Sequence, residues 1–196
     1  MGKIFCVMGK SASGKDSIYN RLLKSQNLSL KRIVPYTTRP MRDGEIDGET
    51  YFFCNEDEVQ NLQNKGKIIE LREYNTVYGI WKYFTVNDEQ FDLEDENGKY
   101  LLIGTLETYT KVVKYFGEEK VLPIYIEVED GERLIRAINR EKQQKEPKYE
   151  EMCRRFLADA SDFSEENLIK AGVNRRFINM DLESTIQEIE EYVSEN

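Results

Sequence analysis

A glycine-rich segment near the start of the chain limits the possible folds more than any other feature. Residues 8–17 read M-G-K-S-A-S-G-K-D-S; the apolar run Ile4–Met8 leads into them and a helical pattern follows. A buried strand, a glycine-rich turn and a helix in this order are typical of a loop that wraps around nucleotide phosphates. Gly9 and Gly14 let the backbone approach a polyphosphate, and Lys15 supplies a cation for its terminal phosphates. The alternative is an ordinary glycine-containing turn between a strand and a helix.

The predicted phosphate-binding residues all lie in this segment, where the amides of residues 11–17 are expected to point inward. They are Gly9, Ser11, Ala12, Ser13, Gly14, Lys15, Asp16 and Ser17. Asp16 stands where the pattern has Ser or Thr. Because Mg²⁺ prefers hard oxygen ligands, we predict that Asp16 is a metal ligand. The alternative is that Asp16 only caps the helix, while Ser17 or water meets the metal.

Composition and charge argue against several classes of function. The 196 residues suit one domain with a substantial core. The chain has no His, which excludes His-based catalytic triads and most zinc sites. A net charge of −9 argues against nonspecific binding to nucleic acid or to an anionic membrane. Three scattered cysteines and the lack of a secretory apolar segment indicate a reducing, cytoplasmic location, whereas no pattern indicates an oligomeric state.

Strand and helix signals alternate along most of the chain, which predicts a parallel sheet covered by helices on both faces. The expected strands are 3–8, short pieces within 30–54, 67–73, 82–86, 100–103, 121–126 and 176–178. The expected helices are 15–24, 55–65, 88–94, 106–116, 130–144, 147–171 and 182–193. Pro147 is expected at the first position of its helix, a place that suits proline. The strand-rich stretch 30–86, with its turn at 43–48, reads as an inserted lobe.

A second motif follows the first helix, and it carries a resemblance to a known family. Residues 37–51 read T-T-R-P-M-R-D-G-E-I-D-G-E-T-Y, which resembles the run T-T-R-x-x-R-x-G-E-x-x-G-x-x-Y of guanylate kinases at every named position. The resemblance continues at Ile69-Glu70 and Tyr78-Gly79, at the spacing of later arginines, and weakly at Ile178-Asn179. It covers most of the chain in register, with gaps.

The resemblance implies an α/β P-loop kinase: a parallel sheet flanked by helices, an inserted β-rich acceptor-binding lobe and a helical lid. We expect one domain, with a core at 1–31, 98–130 and 173–196, the lobe at about 32–97 and the lid at about 131–172. The implied activity is Mg²⁺-dependent transfer of the ATP γ-phosphoryl group to GMP. ATP and GMP are therefore the expected partners, and Mg²⁺ is the expected cofactor.

The resemblance also assigns residues to the acceptor. Arg39, Arg42 and Tyr51 are implied to bind the GMP phosphate, Tyr78 to approach it, and Glu70 to hydrogen-bond the guanine edge. Two guanidinium groups and a phenol can converge on a phosphate monoester on chemical grounds alone. The alternatives are surface ion pairs of the arginines with Asp43, Glu45 and Asp47, and a solvent-facing strand carboxylate at position 70.

The lid arginines are implied to close over the β- and γ-phosphates, where they would neutralise charge in the transition state. The catalytic set is Lys15, Arg136, Arg140 and Arg155, with Arg154 beside it. The alternative is ordinary pairing along a helix face with Glu132, Glu141 or Glu151.

The sequence departs from the family pattern mainly around the expected base pocket. Pro35 stands where the family has a guanine-contacting Ser, and Ile80 where a small hydroxyl residue is usual. The stretch 102–107 reads L-I-G-T-L-E and lacks the family's Asp residues. Two other functions remain open: a related P-loop kinase for another phosphorylated acceptor, such as another nucleotide or a ribose bisphosphate, and a non-catalytic guanylate-kinase-like interaction module.

Overall fold

The computed structural model describes residues 1–42, 44–76, 78–90 and 92–196, so Asp43, Val77 and Phe91 lie outside it. The strands in these ranges are β1 (Lys3–Met8), β2 (Lys31–Arg32), β3 (Tyr36–Thr37), β4 (Phe52–Phe53), β5 (Ile68–Thr76), β6 (Gly79–Val86), β7 (Lys99–Ile103), β8 (Val121–Glu127) and β9 (Arg176–Ile178). The helices are α1 (Lys15–Lys24), α2 (Glu56–Asn64), α3 (Leu106–Phe116), α4 (Asp130–Lys142), α5 (Tyr149–Asp162), α6 (Glu165–Lys170) and α7 (Leu182–Glu195).

A parallel sheet of five strands, in the order β2-β7-β1-β8-β9, forms the centre of the fold. β1 lies in the middle and is buried along Ile4–Met8, which explains its uninterrupted apolar sequence. One apolar cluster includes Tyr109 of α3, and another includes Ile18 of α1 together with Ile189 of α7. The predicted α/β architecture, a parallel sheet flanked by helices, is confirmed.

A second sheet of four strands, in the order β4-β3-β6-β5, is inserted between β2 and β7. β5 and β6 form a long antiparallel hairpin, which extends further than the strands expected at 67–73 and 82–86. A small separate core of Val59, Phe84 and Val86 supports this sheet. The helix at its side begins where the sequence indicates, because Asn55 and Glu58 form a complete capping box.

The helix expected at 88–94 is absent from the described part of that stretch, and the prediction is wrong there. Asp88 accepts a hydrogen bond from the backbone N–H of Gln90, and Asp92 accepts one from that of Glu94. Aspartate side chains that bind the backbone two residues ahead offer it an alternative to the helical hydrogen bonds. The described residues on either side of Phe91 therefore form turns and bends.

The single helix expected at 147–171 is two helices. α5 ends at Asp162, Phe163 is buried, and the side chain of Ser164 accepts a hydrogen bond from the backbone N–H of Asn167 to begin α6. Pro147 is not at the first helical position, because α5 begins at Tyr149. The N–H of Lys148 instead donates to the carboxylate of Glu141 in the preceding helix, which fixes the turn before α5.

The carboxyl ends of β1 and β7 meet at one edge of the central sheet, where the N–H of Gly104 donates to the carbonyl of Val7. Ligands of open α/β sheets bind at this edge. The glycine-rich loop leaves the sheet here, and the hairpin of β5 and β6 faces it. None of the helices within the described ranges is both long enough and apolar enough to cross a membrane.

Candidate active site

The glycine-rich loop contains two residues in the left-handed backbone conformation and a third that packs closely against a neighbouring strand. Ala12 and Gly14 have φ angles of 62° and 87°, and α1 begins directly at Lys15. A Cβ added to Gly9 would lie 2.6 Å from the carbonyl oxygen of Ile126 and 2.8 Å from Oγ of Ser13. Glycine at position 9 is therefore required by close packing against β8. The helix N-terminus and its amides are directed at the loop, the arrangement that favours phosphate.

The loop backbone is held from the far end of the central sheet. Asn179, which follows β9, is buried and donates from Nδ2 to the carbonyl of Ser13 at 2.8 Å. Arg136 of α4 donates to the carbonyl of Asn179 at 3.1 Å. Arg136, a predicted lid arginine, thus contacts Asn179, the residue that supports the loop, although the two residues lie 43 positions apart in the sequence.

Helices α4 and α5, the predicted lid, also bind the loop directly, through Arg133. Its side chain is only 1% exposed, and Nη1 donates to the carbonyl of Ser11 at 3.0 Å. Asp130 accepts hydrogen bonds from the same guanidinium at 2.7 and 3.0 Å, and Asp159 lies 3.6 Å away. Asp159 also accepts a hydrogen bond of 2.7 Å from the N–H of Ser11. Arg133 therefore joins α4, α5 and the loop through one buried charge.

The predicted lid arginines differ in their partners. Arg136 pairs with Glu132 at 2.9 Å, and Arg154 and Arg155 share Glu151 at 2.7 and 2.9 Å. The hydrogen bonds from these two arginines lower the pKa of Glu151 to about 2. The pairing along helix faces that the sequence leaves open is thus present. It does not remove these side chains from the site, because Arg155 lines the space between the lid and the loop.

Two chambers meet in front of the loop. The larger, of about 790 Å³, extends from Lys15 and Asp16 to the hairpin of β5 and β6, and its size suits a nucleotide. The smaller, of about 360 Å³, lies under the lid beside Ser11 and Arg140. Three residues border both chambers: Arg42, Glu151 and Arg155. The glycine-rich loop and the inserted lobe therefore face one continuous cleft.

The two arginines of the second motif lie in different environments, one buried and one exposed. Arg39 is buried and makes a bidentate ion pair with Glu45, whose pKa is lowered to about 2 by the hydrogen bonds from Arg39. This pair is one of the alternatives left open by the sequence, but it is buried rather than exposed. Arg42 is exposed and borders both chambers. Its proposed partner Asp43 lies outside the described residues.

Tyr51 lies between Arg39 and the cleft. The guanidinium carbon of Arg39 is 5.0 Å from the centre of its ring, and Tyr51 itself lines the larger chamber. Burial raises the pKa of Tyr51 above the ordinary value of a phenol. The hydroxyl therefore keeps its proton at neutral pH and can donate it in a hydrogen bond to an anion.

Glu70 and Tyr78 lie at opposite ends of the hairpin. The carboxylate of Glu70 is fully buried and accepts hydrogen bonds from Arg72 Nε at 3.1 Å and from Thr85 Oγ1 at 2.9 Å. Tyr78 lies at the tip, 81% exposed and stacked on Trp81 with ring centres 6.1 Å apart. The expected solvent-facing alternative for Glu70 is wrong, whereas Tyr78 does not line the cleft in this conformation.

Asp16 and Lys15 lie together at the mouth of the larger chamber. Their charged groups are 3.4 Å apart, and the Asp16 side chain is 77% exposed. Gly14 is the N-cap residue, and no side-chain capping bond is found at this helix end, so the structure gives no support to a capping role for Asp16. No group of three or more His, Cys, Asp or Glu side chains in the described ranges could hold a metal ion by itself.

The residues that depart from the family pattern in the expected base pocket do not all line the cleft. Pro35, Gly104 and Thr105 line the larger chamber, whereas Ile80 is exposed and does not. Sequence reasoning missed the roles of Arg72, Arg133 and Asp159. The alternation of residues 70, 72 and 74 along β5 could have placed Arg72 on the face of Glu70. No local signal could have paired Asp159 with Ser11, because 148 positions separate them.

Comparison with known proteins gives a consistent result. The family model described as guanylate kinase matches residues 1–196. The curated guanylate kinase of Malacoplasma penetrans is 30% identical over 126 residues, which are 64% of this chain and 62% of that protein. The guanylate kinase of Mycoplasma mobile is 42% identical over 82 residues, 41% of each chain. The aligned part thus spans less than two thirds of either relative.

Among solved structures, the chain is similar to a crystal structure of guanylate kinase from Anaplasma phagocytophilum. The TM-score is 0.64 at 25% sequence identity, and the match covers 98% of this chain and 85% of that one. The similarity therefore includes both sheets and the helices between them.

The buried charge of Arg133 predicts a large effect on stability. Arg133→Met leaves the Ser11 carbonyl without its donor and removes the cation beside Asp159, and we expect it to lower the free energy of unfolding by about 3 kcal/mol. Arg21→Met is the control, because Arg21 forms an exposed pair with Glu183 and should cost less than about 1 kcal/mol. Urea unfolding measures both. Equal losses in the two variants would contradict the role assigned to Arg133.

Proposed function

This chain belongs to the guanylate kinase family, and from that premise we propose that it transfers the γ-phosphoryl group of ATP to GMP, giving ADP and GDP. One observation carries the proposal: Lys15 and Asp16 of the glycine-rich loop line the same cleft as Arg42 and Arg155. A phosphate-binding loop and a second set of cations in one space can hold a donor and an acceptor phosphate together.

The ATP phosphates are proposed to bind in the loop. Lys15 is the cation that the loop contributes to the larger chamber, and Arg140 and Arg155 border the chamber under the lid. Arg136 would support the loop through its hydrogen bond to Asn179, or would leave Glu132 and bind the phosphates as the lid closes. Remaining contacts would come from the loop residues: Gly9, Ser11, Ala12, Ser13, Gly14, Asp16 and Ser17.

The GMP phosphate is proposed to lie between Arg42 and Tyr51, both of which line the larger chamber. Arg39 lies behind Tyr51 and would contribute positive charge to the phosphate site, while Glu45 fixes the orientation of the Arg39 guanidinium. Tyr78 would join only after the hairpin tip moves toward the cleft. Glu70 is assigned to the base end of the site, on the same strand as Arg72 and Tyr74, which line the larger chamber. The lobe at about 32–97 is thus proposed to bind the acceptor, and 131–172 to form the lid.

The reaction proposed here requires positioned charge rather than a proton carrier. An oxygen of the GMP phosphate attacks the γ-phosphorus and forms a new P–O bond. The bond from that phosphorus to the oxygen that bridges to the β-phosphate breaks, and its electron pair leaves with ADP. The nucleophile is already an anion, so the lack of His is no obstacle. Lys15, Arg140 and Arg155 would stabilise the charge on the transferred group.

The residues at the loop fit Mg²⁺. Asp16 offers an exposed carboxylate beside Lys15, at the position where phosphate oxygens would complete the coordination. Mg²⁺ commonly takes one or two protein carboxylates and fills its other positions with phosphate oxygens and water. When bound, the ion would neutralise charge on the nucleotide. We also propose a cytosolic location, because the three cysteines are free thiols.

A coupled assay of ADP release tests the proposed function across GMP, AMP, UMP, CMP and ribose bisphosphate. We expect the highest kcat/KM with GMP. Release of ADP only with ribose bisphosphate or another nucleotide would identify the alternative acceptor. A folded protein that releases no ADP with any acceptor would contradict an enzymatic function and favour an interaction module.

Lys15→Met should keep the fold and lower kcat by at least ~10²-fold, because it removes an electrostatic stabiliser of the transition state. Lys24→Met is the matched control, since Lys24 is an exposed cation in the last turn of the same helix. Circular dichroism verifies folding, and the coupled assay measures turnover. Near-full turnover in folded Lys15→Met would contradict the assignment of the loop.

Asp16→Ala should raise the Mg²⁺ concentration needed for half-maximal activity, because a metal ligand is lost. A role in the helix alone would instead lower only the melting temperature. Asp57→Ala serves as the control, because Asp57 is an exposed carboxylate in the first turn of α2. An unchanged Mg²⁺ titration in Asp16→Ala, with a lowered melting temperature, would contradict metal binding by this residue.

A further inference from the structure

Both oxygens of the Glu70 carboxylate are already engaged within the lobe. Oε2 accepts a hydrogen bond from Nε of Arg72, Oε1 accepts one from Oγ1 of Thr85, and no part of the side chain is exposed. Each oxygen keeps a second lone pair, but because the carboxylate is covered, a nucleotide base could reach it only by displacing a neighbour such as Arg72. Breaking such a buried pair leaves a charge without its partner and is strongly unfavourable.

Arg72 lies between Glu70 and the cleft. Its side chain is 15% exposed and borders the larger chamber, which Glu70 does not. The hydrogen bond to Glu70 uses Nε, so the donors of the two terminal amino groups are left for Tyr74 and for a ligand. Tyr74, two positions along the same strand, also interacts with this guanidinium. Arg72 is thus a partly buried cation that the lobe presents to a ligand.

The surface around Arg72 suits a flat aromatic ligand. Tyr83 is the cross-strand partner of Arg72, and its ring lies 5.6 Å from that of Tyr74 and 5.8 Å from that of Tyr51. Trp81 extends the same wall toward the tip of the hairpin. A purine placed against these rings would bring one of its edges to the guanidinium.

We propose that Arg72 reads the guanine base at O6 and N7 through its terminal amino groups, and that Glu70 is a positioning residue that fixes the guanidinium. This inference rests on GMP as the acceptor. Arginine binds these two acceptors of guanine in a bidentate manner, whereas adenine presents an amino donor in place of O6. The charge of Glu70 keeps Arg72 in place without contact between the carboxylate and the base.

The edge of guanine that the protein contacts distinguishes this proposal from direct recognition of the base by Glu70. A carboxylate would accept hydrogen bonds from N1–H and from the 2-amino group of guanine, whereas a guanidinium donates to O6 and N7. Two GMP analogues divide these edges. IMP lacks only the 2-amino group, and 7-deaza-GMP lacks only the N7 acceptor.

The experiment measures kcat/KM of the wild-type protein for GMP, IMP, 7-deaza-GMP and AMP. We expect IMP to remain within about 3-fold of GMP and 7-deaza-GMP to fall about 10-fold, the typical effect of one lost hydrogen bond. AMP should fall by at least ~10²-fold. The losses should lie mainly in KM, because the base does not react.

The variants assign the effect to residues. Arg72→Met should lower kcat/KM for GMP by about 10- to 100-fold and remove the difference between GMP and 7-deaza-GMP. Glu70→Gln should lose less than Arg72→Met, because the amide oxygen can still accept from Nε. Lys82→Met is the control: Lys82 is a cation on the neighbouring strand, paired with Glu56 and absent from the cleft lining. It should keep the wild-type order of substrates.

A wild-type protein that phosphorylates GMP and 7-deaza-GMP equally, but loses at least 10-fold on IMP, would overturn the inference in favour of direct reading by Glu70. This result needs no variant, so it stands even where Arg72→Met does not fold. Failure of the proposed function is a different result: no phosphorylation of GMP at all. Retention of the 7-deaza-GMP loss in folded Arg72→Met would also overturn the role of Arg72.

Discussion

The bonds that other segments make to the backbone of the glycine-rich loop are the constraint on which the site depends. Asn179 binds the carbonyl of Ser13, Arg133 binds that of Ser11, and Asp159 accepts from the N–H of Ser11. These side chains come from the edge of the central sheet and from helices α4 and α5. The loop holds its shape through them, and the same contacts place α4 and α5 beside the cleft.

A cationic cleft within an anionic protein follows from where the charges lie. The chain has a net charge of −9, yet among the residues that the structure describes the larger chamber is lined by six cationic side chains and only three acidic ones. The cations are Lys15, Arg32, Arg42, Arg72, Arg154 and Arg155, and the acids are Asp16, Glu49 and Glu151. Because a cleft concentrates the field of its own lining, this local excess can attract phosphates despite the overall charge.

Local sequence patterns predict those features that depend on neighbouring residues. The apolar run Ile4–Met8, the capping box at Asn55 and the glycines of the loop each determine their own structure, and all appear as expected. Competing local bonds explain the errors: aspartate side chains replace a helix near Asp88, and Ser164 begins a new helix within 147–171. The central sheet was predictable because buried parallel strands need continuous apolar sequence.

Contacts between distant segments account for what the sequence does not show. Arg133 looks like an ordinary member of a charged helix face, and only the fold brings it to Ser11, 122 positions away. Glu70 is recognisable by its resemblance to a family residue, but its partner Arg72 changes what the carboxylate can do. The assignments of residues to ATP and GMP stay predictions, because they depend on contacts between a ligand and residues that lie far apart in the sequence.

The proposed reaction requires the loop and the lobe to hold two nucleotides in one continuous cleft. Isothermal titration with a bisubstrate ligand, in which five phosphates join adenosine to guanosine, tests this requirement most directly. We expect one ligand per chain, binding at least ~10²-fold tighter than ATP or GMP alone, and exclusion of both nucleotides. Two ligands per chain, or an affinity no better than that of ATP alone, would contradict it.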